Sequence, residues 1–203
     1  AESGDPGWSG QQIVHAGSAL EYGTASGDLN ELTAGTPTTL YGRTKLDGTT
    51  RLHEAAHRLG VRFTTGRLFT VYGPGEHEGR LLPTLMKAAR SDGPIPLTAG
   101  TQQRDFTYVA DAAEGLLRLG VLPAPSREAV NVATGRLTTV RGFVETAAGV
   151  LGIAPGRLAF GAIATRAEEM QHDRVNIGRL RAMTWWSPST TIQDGITNTM
   201  NVR

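Results

Sequence analysis

Cysteine is absent from this 203-residue chain, so it can build neither a disulfide framework nor a thiolate metal site, and a reducing compartment suits it. It also lacks an excess of either charge. The 20 Lys and Arg against 19 Asp and Glu leave a formal net charge of +1, so no overall field draws the chain to nucleic acid or to an anionic membrane. Any anion it binds must be held by a local arrangement of donors. Its apolar runs fall well short of the ~20 residues that cross a bilayer. The start, AESGDPGWSG, has neither the basic region nor the apolar stretch of a secretory signal. These absences predict a soluble, cytoplasmic protein that binds neither nucleic acid nor membrane. No period repeats and no segment is of low complexity.

What is present suffices for a packed interior: 39% of the residues are apolar, and the 26 glycines gather at the ends of patterned segments, which implies many short turns. Residues 11–16, QQIVHA, read as a buried strand, followed by a polar loop to about residue 36. From Pro37, apolar positions recur at helical spacing until Gly60 stops them. Residues 61–69 then read as a strand, 80–91 as a helix, 105–109 as a strand, 110–120 as a helix, 129–133 as a strand and 138–151 as a helix. Closing helices are predicted near 176–183 and 190–200. Strands alternating with helices indicate an α/β arrangement, more irregular from about residue 154 onward.

Two constellations fall on the helix that begins at Pro37. The later one, HEAAH, puts His53 and His57 four apart with Glu54 between them, the spacing of a zinc protease helix. The third ligand of the longer pattern is missing, because Phe63 occupies its position. The earlier one is Tyr41 and Lys45, also four apart and hence on one helical face. A lysine charge there favours phenolate, and a phenol tuned in this way can exchange a proton with an alcohol or sugar hydroxyl. Upstream, Ser18 in GSALEYG offers a hydroxyl to the same substrate oxygen.

With these residues in place, the chain resembles the extended short-chain dehydrogenase/reductases, specifically the nucleotide-sugar epimerases, reductases and dehydratases. The resemblance runs through GSALEYG, YGRTK, RLFTVYGPG, QRDFTYVADAAEG and VNVATG in the family's order. It implies the C-terminal two-thirds of a Rossmann-type parallel sheet with a smaller mixed substrate-binding portion. In residue ranges, it implies a partial Rossmann-type catalytic portion over 1–153, with substrate-domain insertions at about 73–104, and a substrate-binding portion over 154–203.

By that resemblance Tyr41 is the catalytic acid/base, Lys45 its activator, and Ser18 orients the reacting hydroxyl. Tyr41, Lys45 and Val71 contact a nicotinamide cofactor, NAD or NADP. Thr70, Arg104 and Arg166 contact a nucleotide-sugar substrate, with Arg104 paired to its diphosphate as a planar fork suits. Asp105 and Asp111 brace neighbouring elements, and a homodimer is implied.

Three departures qualify this. Thr70 stands where the family often has asparagine, which leaves the sugar class open. Ala19 and Leu20 follow Ser18 where the 4,6-dehydratases carry an aspartate and a glutamate, so epimerisation or keto-reduction remains. The family's first third, with its glycine loop, is missing. Gly4, Gly7 and Gly10 match the spacing of such a loop, but only three residues precede them and the predicted strand follows, so they read as a surface loop. A non-catalytic short relative, acting as a binding or partner subunit, is the alternative, and the zinc protease a remote one.

Overall fold

The computed structural model describes residues 13–122, 128–165 and 172–202. The strands in chain order are β1 Ile13–Ser18, β2 Asp28–Leu29, β3 Phe63–Leu68, β4 Thr70–Tyr72, β5 Ile95–Leu97, β6 Gln103–Tyr108, β7 Ala129–Val132, β8 Leu137–Thr139, β9 Leu158–Phe160 and β10 Arg174–Val175. The helices are α1 Leu40–Leu59, α2 Leu81–Ala88, α3 Val109–Gly120, α4 Val140–Leu151, α5 Gly178–Thr184 and α6 Ile192–Asn201.

A parallel sheet of order β1-β3-β7 lies at the centre, in register from Ser18 through Leu68 to Val132. Alternation along β3 decides what covers each face. Thr65 and Phe63 meet His53 of α1, at 3.1 Å to a ring nitrogen and 4.8 Å between ring centroids. Gly66 points the other way, where a side chain would collide with Leu116 of α3. Helices on both faces explain why β3 is buried along nearly its whole length.

Between Leu68 and Thr70 the chain leaves this sheet for a second one, of order β4-β6-β8, in which β4 and β6 are parallel and β6 and β8 antiparallel. Phe69 is the crossing point. Around the second sheet lies the larger apolar cluster, in which Phe106 stacks on Phe143 at 4.2 Å and Leu82, Leu85 and Ile196 are buried. Packing runs across residue 153. Leu180 of α5 belongs with Val130 and Val132 of the central sheet, whereas Val144 of α4 belongs to the second cluster.

The predicted α/β alternation is present, and the differences from prediction are local. Thr39 caps α1 through its side-chain oxygen, so the helix begins at Leu40 rather than in the turn at Pro37. Thr138 and Thr139 are drawn from the predicted helix into β8, where Thr139 then caps α4. The strands β2, β5, β8, β9 and β10 have two or three residues each, too short for a period to show in sequence. Residues 11–12 of the first predicted strand lie outside the described residues.

Helix α5 ends on Trp185, which adopts a left-handed conformation at φ 53° with 94% of its surface exposed. Glycine occupies such positions without steric cost, and the indole buries almost nothing in return. Trp185→Gly should therefore raise stability by about 0.5–1 kcal/mol, less than the full left-handed penalty because glycine also frees the unfolded chain. Thermal unfolding should show a rise of about 1–4 °C; a fall would mean that the indole holds the turn.

Candidate active site

The carboxyl ends of β1 and β3 meet the first turn of α1 around a cleft of about 570 Å³, lined by Ser18, Tyr41, Phe69, Thr70, Arg104 and His172 among others. Ser18 closes β1 and starts a short 3-10 turn, Ala19–Glu21, accepting a hydrogen bond from the Leu20 amide at 3.2 Å. Tyr41 sits one residue into α1 and is half exposed to the cleft. Its neighbour Gly42 makes this possible, since a side chain there would lie 2.5 Å from the Leu20 carbonyl oxygen. The lost side chain lets the helix start press against the end of β1.

Lys45 is one turn further along α1. Its Nζ donates to the Ala16 carbonyl at 3.0 Å and lies 5.7 Å from the centroid of the Tyr41 ring. The ammonium is thus tethered to β1 beside the phenol, as the four-residue spacing requires.

Glu21 holds this corner together. It is fully buried, and it accepts from the Ser18 amide at 2.8 Å, the Thr49 hydroxyl of α1 at 3.1 Å and Arg67 Nε of β3 at 2.9 Å. Arg67 also lies over the Tyr22 ring at 4.6 Å, and the Tyr22 hydroxyl donates to Asn131 of β7 at 2.7 Å. Burial pushes the Tyr22 phenol up, which keeps it a donor. One polar network therefore joins all three central strands to α1.

On the opposite wall, Thr70 and Arg104 come from β4 and β6. Asp105, next to Arg104, is buried and also lines the cleft, but its carboxylate accepts from the amides of Thr134 and Gly135 at 2.9 and 2.7 Å, which ties β6 to the turn after β7. Asp111 likewise accepts from the amides of Ser189 and Thr190 and from the Thr190 hydroxyl. His172 rests edge-on against Phe69 at 6.4 Å. Burial lowers its pKa, and the nearby Arg104 charge adds to that. A second cavity of about 400 Å³ adjoins the first, and Thr70, Arg80 and Arg104 line both.

Of the residues the sequence nominates, Ser18, Tyr41, Thr70 and Arg104 line one cleft, and Lys45 stands beside Tyr41. Val71, on β4, is partly buried and does not line the cleft. Arg166 and the glycines Gly4, Gly7 and Gly10 lie outside the described residues. In HEAAH, His53 faces the sheet while His57 is exposed, so the two do not converge on one point. Among the described residues, no group of three or more His, Asp or Glu could hold a metal ion, and no helix is long and apolar enough to cross a membrane. Sequence reasoning did not nominate Glu21 or His172 for the site. Glu21 had a signal, a carboxylate at fixed spacing inside GSALEYG; His172 had none.

A family model for the NAD dependent epimerase/dehydratase family matches residues 8–133. The chain belongs to that family. Among curated members, YtcB of Bacillus subtilis (strain 168), named an uncharacterized UDP-glucose epimerase, is 28% identical over 190 residues, covering 93% of this chain and 59% of the relative. A probable UDP-glucuronate 4-epimerase of Rhizobium meliloti (strain 1021) is 29% identical over 181 residues, covering 79% of this chain and 52% of the relative. The chain thus spans between half and three-fifths of the length of these family members.

The fold agrees. UDP-glucuronic acid 4-epimerase from Bacillus cereus, solved with UDP-glucuronic acid and NAD, superposes with a TM-score of 0.83 at 23% identity, over 93% of this chain and 60% of that one. MoeE5, solved with UDP-glucuronic acid and NAD, superposes with a TM-score of 0.80 at 27% identity, over 94% of this chain and 64% of that one. The architecture is that of the Rossmann-fold epimerase/dehydratase structures.

Proposed function

We propose that the protein uses a nicotinamide cofactor, NAD or NADP, to epimerise or keto-reduce a nucleotide-linked sugar, with Tyr41 as acid/base. The observation that carries this reading is the meeting of Ser18, Tyr41, Thr70 and Arg104 in one cleft with Lys45 tethered behind the phenol. The residues present suit the nicotinamide-ribose end of such a cofactor. Lys45 has given one hydrogen to Ala16 and can give its other two to ribose hydroxyls, alongside the half-exposed Tyr41. When bound, the cofactor accepts or supplies the hydride.

In the oxidative direction, Tyr41 takes the proton from the hydroxyl oxygen on the sugar carbon as that carbon loses its hydride and becomes a ketone. Ser18 donates its own hydroxyl hydrogen to the reacting oxygen, and the Lys45 charge stabilises the phenolate before the proton arrives. In the reductive direction Tyr41 returns the proton. Epimerisation requires that the hydride come back on the opposite face, and keto-reduction uses the second half alone.

Arg80 and Arg104, at the junction of the two cavities, suit a diphosphate, with the sugar in the first cavity and the nucleoside in the second. The UDP-sugar names of the relatives support this substrate class. A homodimer in the cytoplasm completes the reading.

The substrate class is tested at Arg104. Its contact to a diphosphate is the same in ground and transition states, so Arg104→Ala should weaken sugar-nucleotide binding by roughly 1.5–3 kcal/mol while kcat changes far less. Arg104→Lys should recover only part, because a point charge cannot replace a fork. A lowered melting temperature with unchanged Kd would instead make Arg104 a structural brace and remove the diphosphate from the reading.

A further inference from the structure

Four aromatic side chains, Tyr72, Phe106, Phe143 and Phe160, line the second cavity, and the first three are already committed to the core. Phe106 and Phe143 stack on each other at 4.2 Å, and Tyr72 meets Phe143 edge-on at 5.2 Å while its hydroxyl donates to the Thr191 carbonyl at 3.3 Å. All three are buried and offer little surface to a ligand. Phe160 differs. It closes β9, in register with Leu97 of β5, and it is only partly buried.

One face of the Phe160 ring is taken. The Arg141 guanidinium, from the first turn of α4, lies over it with its carbon 3.8 Å from the ring centroid. That guanidinium is itself anchored, donating to the Ala99 carbonyl at 3.2 Å. The Arg141 amide donates to the Gly100 carbonyl at 2.9 Å, and Gly100, at φ 72°, permits an approach so close that a side chain there would lie 2.9 Å from the Arg141 amide nitrogen. Phe160 lines the cavity and Arg141 does not, so the ring separates the guanidinium from the enclosed space. A cation held against one face of a ring restrains it and leaves the other face for a second flat group. We infer that Phe160 is the platform on which the nucleobase of the substrate stacks, with Arg141 as the positioning residue behind it. The inference rests on the reading of this cavity as the nucleoside subsite, and it adds the side chain that grips the base. Because every base has a π face, the platform gives affinity for a nucleotide without choosing among bases.

The test is equilibrium binding to the full-length protein, by titration calorimetry, of inorganic pyrophosphate and of the tightest binder among UDP, CDP, GDP and dTDP. Removing an aromatic platform costs about 5- to 150-fold in affinity for a stacked base, so Phe160→Ala should weaken the nucleotide by that factor. Pyrophosphate, which has no base, should stay within about twofold of wild type. Phe160→Leu keeps apolar bulk without a π face and should lose nucleotide affinity in the same direction, which keeps the test intact if the alanine variant folds poorly. Phe160→Trp should retain the affinity, and the nucleotide should quench the emission of the added indole, a signature that a merely structural side chain would not give. Arg141→Ala should weaken the nucleotide about two- to fivefold with pyrophosphate unchanged, and Arg141→Lys should recover part of the loss, because an ammonium also sits favourably over a ring. Wild-type affinity in both Phe160→Ala and Phe160→Leu, an unquenched indole, or an equal loss of pyrophosphate would overturn the platform while leaving the nucleotide-sugar reading standing. Wild-type protein that binds none of the four nucleotides would overturn both.

Discussion

Replacing Tyr41 by phenylalanine should lower kcat by at least about 100-fold while leaving the Kd for a sugar nucleotide within about threefold of wild type. General acid–base transfer by a positioned side chain contributes 10²–10⁴-fold, and the substitution removes only the oxygen that moves the proton. Ground-state affinity should survive, because binding rests on the diphosphate and nucleoside contacts on the other walls of the cleft. Tyr41 is half exposed and Phe keeps its ring, so the fold should not change. Turnover within threefold of wild type would remove Tyr41 from the chemistry. The Kd arm matters equally, since a variant that lost both turnover and affinity would point to a positioning role rather than to proton transfer.

Much of this corner was legible in sequence because its logic is local. The Tyr41–Lys45 spacing fixes a shared helical face whatever the tertiary structure, and Gly60 ends the helix by its own backbone freedom, at φ 66°. Strands β3 and β7 announced themselves as β-branched runs bounded by turn residues. What could not be read was the meeting of distant segments. Thr70 and Arg104 share a cleft because the chain changes sheets at Phe69 and β6 then pairs with β4, with Phe106 beside Thr70. Only the family's motif order suggested that they belong together. His172 enters the cleft through a two-residue pairing of β10 with β2, which has no periodicity to detect. The HEAAH motif shows the converse. Its local pattern suggested zinc, but β3 packs against its first histidine and turns that ring to Thr65 and Phe63.

Losing Glu21 should cost the fold heavily. Glu21→Ala would leave the Arg67 guanidinium buried with its principal counter-charge gone, and would strip the Ser18 amide and the Thr49 hydroxyl of their acceptor at the same time. Breaking a buried pair in this way costs about 3–5 kcal/mol, most of it the penalty of an uncompensated charge. At 2–4 °C per kcal/mol for a chain of this size, the melting temperature should fall by roughly 6–20 °C. The remaining Arg67 contacts, to the Tyr22 ring and at 3.5 Å to the Glu31 carbonyl, are too weak to replace a carboxylate. Removing both charges should be milder than removing one. Glu21→Leu combined with Arg67→Met should therefore recover part of the lost stability, since an apolar pair of similar volume carries no stranded charge. Urea unfolding of the single and double variants measures this directly. A Glu21→Ala protein within 1 kcal/mol of wild type would show that Arg67 finds water or another partner. A double variant no better than the single would mean that Glu21 acts through Ser18 and Thr49 instead, holding α1, and Tyr41 with it, against the end of β1.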